Sequence, residues 1–252
     1  MSSPPPTTPA LTYTDFWQYR GRQSFWLTRQ VSYRIGAVLA LLASRLGLSP
    51  HAVTVLSFLT GVGGALVLAT HPQLPLPLAG TVLFITLHLA YGLDCADGVL
   101  ARATRRTSRS GGLLDKCADL LGAMLIPGIL GVAAFGAQAT WADGFSHAFL
   151  IWWSVTPRLA LTTVTWLKES MTPEIDRKGS DDGREHTLFW KLKKFAGNLQ
   201  DDVIYRSGMA LSWAFGCYWD FILVFQSYCC LLLIVYLITS YREVAAAERR
   251  PT

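Results

Sequence analysis

LDCADGVLARATRRTSRSGGLLDKCADLL, residues 93–121, decides how this chain is read. It begins at the end of one apolar run, finishes at the start of another, and carries Asp94, Asp97, Asp115 and Asp119. Asp94 and Asp97 are three residues apart, about 4.5 Å along a helix, and Asp115 and Asp119 are four apart, about 6 Å, so each pair shares one helical face. A polar turn at 103–112 joins the two runs. That order predicts an antiparallel hairpin with all four carboxylates gathered at one membrane surface. Four unpaired carboxylates repel one another, and bound cations relieve this better than protonation. Oxygen-only ligands suit hard ions such as Mg²⁺ or Mn²⁺, and two such ions about 3.5–4 Å apart can clamp a phosphoryl group during in-line displacement.

The small residues of the stretch fit the same use. Gly98 and Ala101 lie one turn beyond Asp94 and Asp97, and Gly111 faces them across the hairpin, leaving space for a nucleotide. Arg102 adjoins this space, and a guanidinium can bind pyrophosphate oxygens through paired hydrogen bonds.

Outward from the hairpin, apolar residues fall in blocks and charges collect between them. Half of the 252 residues are hydrophobic (51%), and six blocks near the ~20 residues needed to cross a bilayer stand at 51–70, 77–101, 113–135, 146–167, 203–217 and 220–241. The fifth is short. With the N-terminus inside, the inner segments and adjoining helix ends hold almost every Lys and Arg, from Arg20 to Arg45, Arg102 to Lys116, Lys168 to Lys194 and Arg242 to Arg250. The outer loops 71–76, 136–145 and 217–220 hold none, as the positive-inside rule requires. Both termini and the aspartates are therefore expected on the cytoplasmic face, in a multi-pass protein of a bacterial inner membrane. The net charge of +5 is spread over every inner loop without a groove-reading motif, so anionic lipid headgroups, not nucleic acid, are the expected partner.

The fold class expected is all-α and integral to the membrane, with six transmembrane helices behind an interfacial amphipathic N-terminal segment. Residues 1–14 read as a disordered tail and 15–48 as interfacial helices, aromatics and arginines mixing at 15–30 as suits a headgroup layer. Residues 49–243 form the six-helix domain and 244–252 a cytoplasmic tail. Ser49-Pro50 makes a helix start, and Gly61, Gly63 and Gly64 leave room for close helix contact. A further surface helix is expected around KLKKF, 191–195. The five cysteines and five histidines lack ligand or disulfide spacing and read as structural, and Trp152 and Trp153 read as interface anchors.

Asp94-x2-Asp97-Gly98-x2-Ala101-Arg102-x8-Gly111-x3-Asp115-x3-Asp119 places eight fixed residues over 26 positions, and at each of them the chain resembles the CDP-alcohol phosphotransferase family. The resemblance implies a six-helix membrane homodimer with a cytoplasmic site. It implies that Asp94, Asp97 and Asp115 are metal ligands, that Asp119 completes the metal site and acts as base on the acceptor hydroxyl, and that Asp97, Gly98, Ala101, Arg102 and Gly111 line a CDP pocket. The activity it implies is transfer of a substituted phosphate from a CDP-linked donor, foremost CDP-diacylglycerol, to an alcohol, with release of CMP, in phospholipid biosynthesis. The reverse arrangement, a soluble CDP-alcohol donating to diacylglycerol or another lipid alcohol, stays open.

Three other readings fit the sequence less well. The aspartates could be solvated helix ends, but ionisable residues inside membranes are costly and mark function. Prenyltransferases also use membrane aspartate pairs with Mg²⁺, yet they place them far apart in the chain. A non-catalytic protein or transporter keeping the fold would show a broken motif, and nothing in this motif is missing. Arg158 and Arg206 lie inside expected helices, where an unpaired arginine costs roughly 2.5–3.5 kcal/mol or more. They either bind a phosphate of the acceptor or donor, or are offset structurally by Asp201 or Asp202 or by snorkelling.

Overall fold

The computed structural model describes residues 11–21, 25–137, 147–171 and 199–248. The chain is all-helical, with no strand among the described residues. In order come α1 (Tyr13–Gln18), a π-helical turn (Thr28–Ser32) that runs into α2 (Tyr33–Arg45), α3 (Pro50–Thr70), α4 (Leu76–Ala103), α5 (Arg109–Ala137), α6 (His147–Met171), α7 (Asp202–Ala214) and α8 (Tyr218–Glu248).

Four of these are long and apolar enough to cross a membrane: Pro50–Thr70, Leu76–Ala103, Arg109–Phe135 and Tyr218–Tyr241. Their outward faces show why a bilayer suits them, since Leu59, Val132, Val224 and Leu231 all remain more than half exposed and would sit against lipid tails. The apolar blocks at 146–167 and 203–217 correspond to α6 and α7, which do not meet that measure. Arg158 and several hydroxyls dilute α6. With 13 residues, α7 spans about 20 Å against a hydrocarbon core of ~30 Å. It stops at Ala214, three residues before the expected end, because Gly216 takes a left-handed φ of 70° and lets the Cys217 N–H return to the Ser212 carbonyl at 2.8 Å.

The N-terminal segment is tied to the protein more tightly than an interfacial reading suggests. Helix α1 begins at Tyr13, inside the stretch read as a tail, and its Phe16 is fully buried among Ala37, Ala40, Val53, Ala96 and Leu100. Trp26 by contrast is 64% exposed. The π-helical turn is pinned by Asp201, whose carboxylate accepts the N–H of Thr28 at 2.9 Å and its hydroxyl at 2.6 Å. The same carboxylate caps α7 by accepting from Val203 N–H at 3.0 Å. Residues 1–10, the loop at 138–146 and the KLKKF stretch lie outside the described residues.

Small residues set the helix spacing. At Gly80 on α4 an added Cβ would meet the backbone of α7, 2.8 Å from both the Ala210 carbonyl oxygen and the Ala214 Cα. Gly61 and Gly64 sit against Ile126 and Thr86 as expected, but Gly63 has nothing within 4 Å. Gly80→Leu should therefore destabilise by about 1–3 kcal/mol or more through overpacking. Gly63→Ala should be neutral or stabilising by up to about 1 kcal/mol. Thermal unfolding of the two variants in detergent checks both.

Candidate active site

The hairpin between α4 and α5 is tighter at its turn and looser along its length than the sequence suggests. The turn is 104–108. Arg105 adopts a left-handed φ of 54°, and Arg106 N–H returns to the Ala101 carbonyl at 2.8 Å. Glycine normally fills such a position. Beyond the turn, close approaches between α4 and α5 are sparse, and α3 packs along both. Carboxylates therefore meet at the joined ends of the two helices, and space opens between them.

Three of the four expected aspartates come together. Ligand oxygens of Asp94, Asp97 and Asp115 lie within 4.8 Å of one another, with Asp97 only 6% exposed. Among the described residues no Lys, Arg or His nitrogen forms an ion pair with any of the three. The hydroxyl of Thr54, one turn into α3, donates to the Asp97 carboxylate and lies 3.1 Å from the Pro50 carbonyl oxygen. That position is fixed by the helix start read from the sequence, where the Ser49 hydroxyl accepts from Ala52 N–H at 3.2 Å. A single neutral donor does not offset three clustered carboxylates. An all-oxygen set of this kind fits a hard divalent cation.

Two cavities share this cluster. The smaller, about 210 Å³, is lined by Asp97 and Asp115 together with the expected Gly98, Ala101, Arg102 and Gly111. His51 and Thr54 of α3 complete its wall. A Cβ at Gly111 would stand 3.1 Å from His51 Nε2, and one at Gly98 3.1 Å from an Arg102 terminal nitrogen, so the absent side chains keep this space open. Arg102 is fixed through Nε, which donates to the Tyr19 carbonyl at 2.8 Å just after α1. Its terminal nitrogens lie over Gly98.

The larger cavity, about 410 Å³, is lined by Asp94 and Asp119 and, from the far side, by Arg158, Arg206 and Asp202. Asp119 is outside the close triad and faces this second space. Both alternatives for the arginines hold in part. Arg158 pairs with Asp202 at 2.5 Å and stacks on the Tyr205 ring at 4.1 Å, yet it also lines the cavity. Arg206 Nε is 3.9 Å from the same Asp202 oxygen, within ion-pair reach but too far for a hydrogen bond, and lies against the Tyr91 ring at 4.8 Å. Asp201 takes no part, since it is committed to Thr28 and α7. Lys116 adds a third cation, stacked on Trp166 at 4.0 Å.

Sequence reasoning missed His51, Thr54, Tyr19 and Tyr91. None belongs to a motif. Each arrives by helix packing, and Thr54 stands 43 residues from its carboxylate.

Comparison with curated proteins gives no match. Residues 47–196, more than half of the chain and the whole of the aspartate hairpin, match the family model described as CDP-alcohol phosphatidyltransferase, and the chain accordingly belongs to this family of transferases, whose work is phosphatidyl transfer in phospholipid synthesis.

Proposed function

We propose that the protein transfers a phosphatidyl group from CDP-diacylglycerol to a polar alcohol that itself carries a phosphate, releasing CMP. The observation that carries this reading is that one carboxylate cluster lines two cavities. The donor's cytidine diphosphate takes the smaller cavity and the acceptor the larger. When bound, divalent ions such as Mg²⁺ or Mn²⁺, which Asp94, Asp97 and Asp115 would hold, would neutralise charge on the phosphoryl oxygens and on departing CMP.

The chain's own residues do the rest. Gly98, Ala101 and Gly111 admit the nucleotide, and Arg102 is held through Nε so that its terminal nitrogens can pair with diphosphate oxygens. In the larger cavity one carboxylate, Asp202, serves both Arg158 and Arg206. That side of the cavity therefore keeps a positive excess, to which Lys116 adds, and an acceptor phosphate satisfies it. Asp119 accepts the proton of the acceptor hydroxyl as its oxygen bonds to the phosphorus attached to the diacylglycerol. The bond from that phosphorus to the CMP oxygen breaks, and CMP leaves with the electron pair. The gain comes from alignment and fixed charge.

The same reading takes α6 and α7 as the remaining two of six crossings, places the site and both termini on the cytoplasmic side, and makes the chain a homodimer. The crossings and their orientation are supported by the bias of Lys and Arg towards the inner segments.

The test is CMP release by purified protein over a matrix of CDP-linked donors and candidate alcohols, with and without Mg²⁺ or Mn²⁺. Release with CDP-diacylglycerol and a phosphorylated alcohol, abolished by chelation, is expected. Release only with a soluble CDP-alcohol and diacylglycerol would reverse the donor and acceptor. Arg158→Ala should raise the acceptor KM about tenfold or more, as loss of a charge-assisted contact does, with the donor KM unchanged.

A further inference from the structure

Gln226 is a fully buried amide within the most apolar span, Tyr218–Tyr241. A side-chain amide at that depth is costly unless both its ends are bonded, and here both are. Its Nε2 donates to the Ser154 carbonyl, and its Oε1 accepts from the backbone N–H of Arg158 at 3.2 Å. Residues 154 and 158 are four apart, so these are the two groups that bond each other in an uninterrupted helix. Pro157 explains why the helix is open to a guest at this point. It has no N–H for the Trp153 carbonyl, and its ring crowds the preceding turn.

We propose that Gln226 is a positioning residue for the acceptor site. By bonding both backbone groups at the Pro157 break, it fixes the main chain at Arg158 and sets the aim of that guanidinium into the larger cavity. The inference rests on the reading of Arg158 as part of an anion site. Arg158 is held at two ends by different helices. At its tip, Asp202 and the Tyr205 ring belong to α7. At its base, Gln226 belongs to α8, whose neighbouring Phe225 also places its ring 5.8 Å from the guanidinium. Any repair of the proline break must fall on the turn around residues 153–158. This one falls on the residue whose side chain reaches the site.

The test uses the full chain in detergent and inorganic phosphate as probe, with binding read as the phosphate-dependent rise in Tm and folding as the Tm without phosphate. Gln226→Met keeps the length and removes both polar atoms, and is expected to weaken phosphate binding about tenfold. Gln226→Glu, which in its neutral form again offers one donor and one acceptor, should return binding to within about threefold of wild type. Because the effect runs through Arg158, Gln226→Met should add nothing in an Arg158→Ala chain. Pro157→Ala favours the helix and should fold without difficulty. It lets α6 close its own rung, and should lower phosphate affinity in the same way. Wild-type affinity in Gln226→Met overturns the positioning role, as does an equal loss with and without Arg158. If Gln226→Met does not fold, wild-type affinity in Pro157→Ala overturns it. Phosphate binding by Arg158→Ala equal to wild type would instead remove the anion site itself, a different failure.

Discussion

Asp119→Asn should bind CDP with cation as the wild type does and yet turn over about 10²–10⁴-fold more slowly, the range lost when a general base is removed. The separation is expected because Asp119 stands outside the triad whose ligand atoms lie within 4.8 Å, and lines the larger cavity on the side assigned to the acceptor. Asparagine keeps the shape and loses the capacity to take a proton. The measurement is a pair: CDP affinity with Mg²⁺ by calorimetry, and the initial rate of CMP release at saturating acceptor. Turnover within tenfold of wild type would remove Asp119 as the base, and a parallel collapse of CDP affinity would make it a ligand first.

Asp97→Asn should do the opposite on binding. Asp97 is the most buried of the three clustered carboxylates, and Thr54 is its only described side-chain hydrogen-bond partner. Removing its charge should abolish cation-dependent CDP binding and lower CMP release about 10²–10³-fold, the scale of a lost electrostatic contact at a reacting centre. Stability should move the other way when no cation is present. A buried, unpaired charge is unfavourable, so in EDTA the variant should unfold at a higher temperature than the wild type. On adding Mg²⁺ the wild type should gain Tm through linked binding and the variant should not. A variant that keeps the Mg²⁺-dependent rise would show that the cation is held elsewhere.

Much of this architecture was legible because its signals are local. Ser49-Pro50 marks the start of α3 through chemistry confined to four residues, and the aspartate spacing places each pair on one face whatever else the chain does. Helix positions followed from apolar runs for the same reason, with the end of α7 displaced by the left-handed Gly216. What lay beyond reach is contact between helices. The sequence offers Asp201 and Asp202 as equal candidates to pair with Arg158. Only the packing gives Asp202 to the arginine and Asp201 to Thr28. The hairpin was legible as a turn but not as an opened cleft, because the insertion of α3 against both arms is a property of the assembled bundle. Gln226 had a weak signal, a lone amide inside an apolar run, but nothing in its neighbours points to a proline break 69 positions earlier.

The clasp between Thr28 and Asp201 closes over 173 residues of chain, and both of its members lie outside the stretch 47–196 that identifies the family. During synthesis Thr28 is made well before Asp201, so its turn can lock only once α7 has emerged. An excised fragment limited to the matched stretch would carry all four aspartates of the hairpin but neither half of the latch, nor Asp202 and Arg206 of the larger cavity's wall, nor Gln226. Biogenesis thus couples residues made far apart in time, and the wall of the larger cavity that carries Asp202 and Arg206 closes only after the matched stretch has been synthesised.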